Sequence, residues 1–157
     1  MRKRMVERDN QEVSRTEYHW LNLENIAQAE MTSEDAAHPI ESALVSGSGS
    51  GWRAAEPGEQ TLRLLFDEPQ RIEMIHLAFQ EEHEERTQEF VLRYSTDGGQ
   101  TYHDIARQQY NFSSPDSTRE LEDYRVNLNG VTALELCLIP DISGGAARAS
   151  LTEWRIA

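Results

Sequence analysis

The sequence predicts an all-β domain, an antiparallel jelly-roll β-sandwich of about eight strands. Three observations carry that prediction. Beyond residue 60, apolar residues recur at every second position in run after run, the period of a strand with one face in a core. Turn-forming clusters separate the runs: Asp97-Gly98-Gly99, Asn129-Gly130 and Ser143-Gly144-Gly145. Between them no apolar stripe at helical spacing is long enough for a crossover helix, so consecutive strands must run antiparallel.

In chain order, residues 1–17 are mostly charged or amide, with Met5 and Val13 too sparse for an apolar stripe, and read as a disordered tail. A short surface helix sharing Met5, Arg8 and Glu12 on one face is the alternative there. One folded domain is expected over 18–157. It opens with a short strand at Trp20-Leu21-Asn22-Leu23, then a polar stretch with room for one helical turn, ending at His38-Pro39-Ile40-Glu41-Ser42-Ala43-Leu44. Ser46-Gly47-Ser48-Gly49-Ser50-Gly51 has linker composition, but too little chain precedes it for a second core, so it reads as a mobile loop. Strands follow at Thr61–Asp67 (Leu62, Leu64 and Phe66 inward), Arg71–Phe79 (Ile75, Leu77, Phe79) and Gln88–Ser95 (Phe90, Leu92, Tyr94). The series continues at Tyr102–Gln108, Leu121–Leu128 (Tyr124, Val126, Leu128), Ala133–Ile139 (Leu134, Leu136, Leu138) and Ser150–Ile156 (Trp154, Ile156). Trp20 and Trp154 read as core.

Charge narrows the function. The 157 residues carry 15 basic and 28 acidic side chains, a formal net charge of -13, which opposes the cationic face that nucleic acid requires. Lys3 is the one lysine, so nearly all positive charge is guanidinium, suited to planar hydrogen bonding. The single cysteine, Cys137, cannot form an internal disulfide, and neither an export signal nor a membrane span is visible. A cytoplasmic location is expected, with no membrane partner.

Several local patterns, in order, resemble the discoidin or coagulation-factor type C (galactose-binding-like) domain, whose bacterial relatives include carbohydrate-binding modules. His38 to Leu44 resembles the early turn of that fold and Gly51-Trp52 the tryptophan segment after it. Leu62 to Asp67 resembles the next strand, Phe90 to Gly99 the strand and Ser-x-Asp-Gly turn before an aromatic, here Tyr102, and Ala149 to Ile156 the closing strand. The resemblance implies a jelly roll that binds a ligand in loops at one end. Many relatives hold a structural calcium, and Glu153 matches its last-strand carboxylate, a candidate metal ligand. Val45-Ser46 stands where those relatives have Asp-Gly, removing an oxygen ligand, so neither calcium nor any other cofactor is expected. Galactose-binding relatives present an arginine and an asparagine in the loop after the third main strand; this chain has Gln80-Glu81-Glu82-His83-Glu84-Glu85.

Catalytic patterns are missing. No Gly-x-Ser-x-Gly elbow or HExxH spacing occurs, nothing in the sequence pairs two carboxylates for glycoside hydrolysis, and Cys137 reads as packing. The acidic run around His83 suits either a solvated hairpin or a divalent cation. Ser95 to Tyr102 fits the Asp-box hairpin, a structural turn. Arg107-Gln108-Gln109-Tyr110-Asn111-Phe112 joins rings, amides and a guanidinium, the mixture that sugar sites and protein interfaces share; its alternative is a connection whose Tyr110 and Phe112 plug the sandwich. Trp52 and Arg53, beside the Gly-Ser loop, offer the same choice. The expected function is non-catalytic binding of a carbohydrate or sugar-like ligand, with Trp52, Arg53, Arg107, Gln109, Tyr110, Asn111 and Phe112 as contacts. An intracellular protein-docking domain is the alternative, and an enzyme the third.

Overall fold

The computed structural model describes residues 1–3, 18–45 and 49–157. Residues 4–17 of the expected tail and residues 46–48 of the Gly-Ser loop therefore lie outside the described residues. Two helical turns, α1 (Leu23–Ile26) and α2 (Glu41–Leu44), accompany eight strands: β1 (Ala27–Met31), β2 (Trp52–Arg53), β3 (Gln60–Gln80), β4 (Arg86–Ser95), β5 (His103–Phe112), β6 (Arg119–Ile139), β7 (Ser150–Leu151) and β8 (Glu153–Ile156). All pairings are antiparallel.

Two long strands build the sandwich by serving both layers. The first half of β3 pairs with β1 and with residues 133–138 of β6, which in turn pair with β4, and β4 with β5. The second half of β3 pairs with residues 119–128 of β6 on one side and with β8 on the other. Register shifts between Leu65 and Met74 mark the crossing from one layer to the other. Four expected strands thus merge into two, because the exposed stretch around Pro69 and the Asn129-Gly130 corner, with Gly130 at φ 66°, bend a strand without ending it. The inward residues are those the alternation marks: Leu62, Leu64, Ile75, Leu77, Phe79, Phe90, Leu92, Leu134, Leu136, Leu138, Trp154 and Ile156 are all buried. Phe79 stacks on Phe90 across the layers at 5.3 Å.

The N-terminal elements differ from the expectation. Trp20–Leu23 is not a strand; Leu23 begins α1 and the first strand is Ala27–Met31, whose small Ala27 and Ala29 pack on the core opposite Phe66 and Leu64. Trp20 is half-buried rather than core. Its ring lies 6.5 Å from His76 and beneath the Arg155 guanidinium at 5.3 Å, a cation–π contact on the outer side of the smaller layer.

The Asp-box turn forms as expected. Asp97 Oδ1 accepts from Ser95 Oγ at 2.7 Å and from the amides of Gln100 and Thr101 at 3.1 and 2.9 Å. The Thr101 hydroxyl, that amide and Ser95 together hold the carboxyl well below the usual carboxylate range.

The β2–β7 ribbon closes one end of the sandwich. Trp52 and Leu151 form one pair, both fully buried, and the Trp52 indole N–H donates to Ser33 O at 3.2 Å. Gly51 enters the ribbon at φ 66°, with its Cα against the Leu151 carbonyl, so a methyl group there would overlap that oxygen. Gly51→Ala is expected to lower stability by about 2 kcal/mol through positive φ and overlap together; a chemical denaturation curve measures it.

Candidate functional site

Strand parity decides which polar side chains the ribbon offers to solvent. Along 147–152 burial alternates: Ala147, Ala149 and Leu151 face the core, while Arg148, Ser150 and Thr152 face out. Arg53 pairs with Ser150, and the next rung, Ala54 N to Ala149 O at 2.9 Å, continues the ladder, so Arg53 and Arg148 share the outward face as diagonal neighbours. The early turn abuts this ribbon through Arg53 N, which donates to His38 O at 3.1 Å.

Opposite the ribbon stands the β3–β4 connection. Its base is fixed by Arg86, whose side chain is 1% exposed: Nε donates to Glu81 Oε1 at 2.7 Å, Nη1 to Pro140 O at 2.9 Å, and the guanidinium lies 4.8 Å from the Phe112 ring centroid. Glu81 also accepts from His83 N at 3.2 Å, and its own amide donates to Thr118 O at 2.8 Å. Burial pushes the Glu81 carboxyl up, but Arg86 and the amides of His83 and Glu84 outweigh it and hold the group below the ordinary carboxylate range. The loop therefore presents Glu82, His83 and Glu84 from an anchored base.

Between ribbon and loop lies an open cavity of about 350 Å³, lined by His38, Arg53, Gln80, Glu81–Glu84, Arg148, Ser150 and Thr152 with Trp52 beneath. Its chemistry is divided. Guanidiniums and hydroxyls occupy the ribbon side; carboxylates and an imidazole occupy the loop side. Glu82 takes a 2.7 Å hydrogen bond from Gln80, while His38 Nδ1 is buried without a partner among the described residues. Such a mixture of fork-like donors and carboxylate acceptors can read a polyhydroxylated ring from both sides.

The sequence of this chain matches the F5/8 type C domain profile over residues 27–149. The chain belongs to the F5/8 type C domain family. No curated protein matches it by sequence. Solved structures similar to this F5/8 type C domain include the family 32 carbohydrate-binding module of Clostridium perfringens NanJ, in complex with galactose. That module is 13% identical, with a TM-score of 0.62 over 83% of this chain and 92% of its own. The corresponding module of AlyQ, in complex with 4,5-unsaturated mannuronic acid, is 16% identical, with a TM-score of 0.63 over 89% of this chain and 98% of that one. A pectin-binding carbohydrate-binding module is 21% identical, with a TM-score of 0.60 over 84% and 90%.

In this F5/8 type C domain the seven contacts expected from sequence fall in three places. Arg53 is exposed in the cavity, and Trp52 is fully buried below it with no face free to stack on a ligand. The other five lie on β5, an edge strand and not a loop, where alternation separates them. Arg107, Gln109 and Asn111 point outward; the first two reach Glu89 at 3.4 Å and the third pairs with Thr87 at 2.9 Å. Tyr110 and Phe112 point inward, edge to face at 4.9 Å, and Phe112 is fully buried under Arg86. The plug reading describes these two rings. Glu153, the expected metal ligand, lies beside His76 at 3.9 Å on β8. Arg148 and the 80–84 loop were not among the expected contacts. The loop's position after the third main strand, where the resemblance places ligand contacts, was the signal for it; Arg148 had none beyond its two-residue spacing from Ser150.

Among the described residues no helix is long and apolar enough to cross a membrane.

Proposed function

We propose that this domain is a non-catalytic carbohydrate-binding module whose ligand sits in the cavity between the β2–β7 ribbon and the 80–84 loop. The observation that carries this reading is the pair of outward guanidiniums, Arg53 and Arg148, facing a braced carboxylate loop across an open 350 Å³ cavity. Membership of the family supports it, as do the sugars bound by the similar modules. The lining has the donors and acceptors of hydroxyl recognition. Cys137, the chain's one thiol, is pushed up in pKa by its burial and lies on the outer face of the larger layer, against Thr61.

A glycan array tests this. The intact domain should bind a restricted set of glycans, Arg148→Ala should lose about tenfold or more in affinity, and Arg107→Ala, on the exposed face of β5, should bind as the parent does. Loss in Arg107→Ala with retention in Arg148→Ala would move the site to β5.

The fold is proposed to need no ion. In the early turn Glu34 and Asp35 already accept from the amides of Ile40 and Ala37, at 2.6 and 3.0 Å. A chelator should leave the melting curve unchanged; a fall of several degrees would show a bound structural cation.

A further inference from the structure

We infer that the ligand is an acidic sugar, a uronate whose ring carboxylate is taken by Arg53 and Arg148 together; this rests on the proposed carbohydrate site. Among the described residues Arg63, Arg71, Arg86, Arg93 and Arg107 each hold a carboxylate, and Arg155 lies over the Trp20 ring. Neither the Arg53 nor the Arg148 guanidinium has a carboxylate or hydrogen-bond partner among the described residues, although Glu81, Glu82 and Glu84 line the same cavity. Arg119 and Arg125 are also unpaired but stand on β6, away from the cavity.

The cavity keeps its two signs apart. Glu81 is turned to the buried Arg86 and Glu82 to Gln80, at 2.7 Å each, so these two acids are held on the loop's own side. The ribbon sets Arg53 and Arg148 on one face as diagonal neighbours, and both line the cavity with Ser150 and Thr152. Two adjacent guanidiniums with free donors are the arrangement that a carboxylate accepts in bidentate fashion. A neutral sugar would offer them hydroxyl acceptors but no opposite charge. A uronate satisfies both sides: its carboxylate meets the arginines, and its hydroxyls donate to Glu82 and Glu84. Because the net charge of -13 repels any anion at a distance, these two side chains must supply the attraction locally.

Calorimetric titration decides it. Short oligomers of galacturonate, mannuronate and glucuronate are each compared with their carboxyl-reduced, neutral counterparts, and sialyllactose serves as a carboxylate carried outside a uronate ring. At least one uronate oligomer should bind about tenfold or more tightly than its reduced form. Arg53→Gln and Arg148→Gln should each remove that preference with unchanged melting, as both side chains are exposed. Equal binding of a uronate and its reduced form, a preference for sialyllactose, or a preference that survives both substitutions would overturn the inference while leaving the carbohydrate site standing. Binding of no glycan, here or on the array, would instead remove the site itself.

Discussion

Arg86→Ala is expected to lower stability by about 3 kcal/mol, as removing one partner of a buried ion pair does. The substitution takes three things at once: the donors to Glu81 and Pro140, the bond to Gln88 Oε1 at 3.3 Å, and the cation–π contact over Phe112. Glu81 is 17% exposed and can partly rehydrate, which keeps the expected loss at the lower end for such pairs. Arg86→Lys keeps the charge but not the fork that spans Glu81 and Pro140, and should fall between the two. Denaturant unfolding of the three proteins measures this. The variants should also show faster amide exchange over 81–85, since Arg86 anchors that loop. Stability within about 0.5 kcal/mol of the parent for Arg86→Ala would contradict the bracing role.

The second large effect is one of pH. Glu120, the second residue of β6, has its side chain between the layers, 2% exposed, where Oε1 accepts from Gln88 at 3.2 Å. Burial first, then the neighbouring Glu122, push its carboxyl up to about 8, against the pull of Gln88 and Arg86. Glu120 Oε2 has no donor of its own among the described residues, and Glu122, next on the same face of β6, takes a 3.1 Å hydrogen bond from Tyr124 Oη. The folded state therefore keeps a proton that the unfolded chain releases near pH 4.5. Since the native state binds more protons over this window, stability falls as pH rises from about 4.5 to about 8, by up to roughly 5 kcal/mol in all. Glu120→Gln supplies the amide donor permanently and should flatten this slope, gaining most over the parent above pH 8. Urea unfolding at pH 5, 7 and 9 tests the sign: a parent that grows more stable across this range, or a variant with the parent's slope, would contradict it.

Much of the architecture could be read from the chain because burial follows alternation. Leu62-x-Leu64, Ile75-x-Leu77-x-Phe79 and Leu134-x-Leu136-x-Leu138 face the core as their spacing demands. What periodicity could not show is where a strand bends. Residues 66–72 and 128–131 carry turn-like composition, yet the ladder continues through them with shifted register, since a glycine or an exposed proline at a corner is compatible with either outcome. β1 went unseen because two alanines and a methionine among polar residues carry little apolar signal. The site was legible only in part. Composition drew Arg107 to Phe112 together as one constellation, whereas a strand places neighbours on opposite faces and so divides it. Arg148 and Arg53 are 95 positions apart in sequence and meet only through the Arg53–Ser150 pairing, a long-range contact no local pattern encodes.

The most direct test of the carbohydrate site is an amide-resolved NMR titration of the intact domain with the tightest-binding glycan from the array. Saturable shifts confined to Arg53, residues 80–84 and residues 148–152, with β5 unmoved, are the expected result. Shifts centred on residues 107–112, with the ribbon and the loop silent, would contradict it.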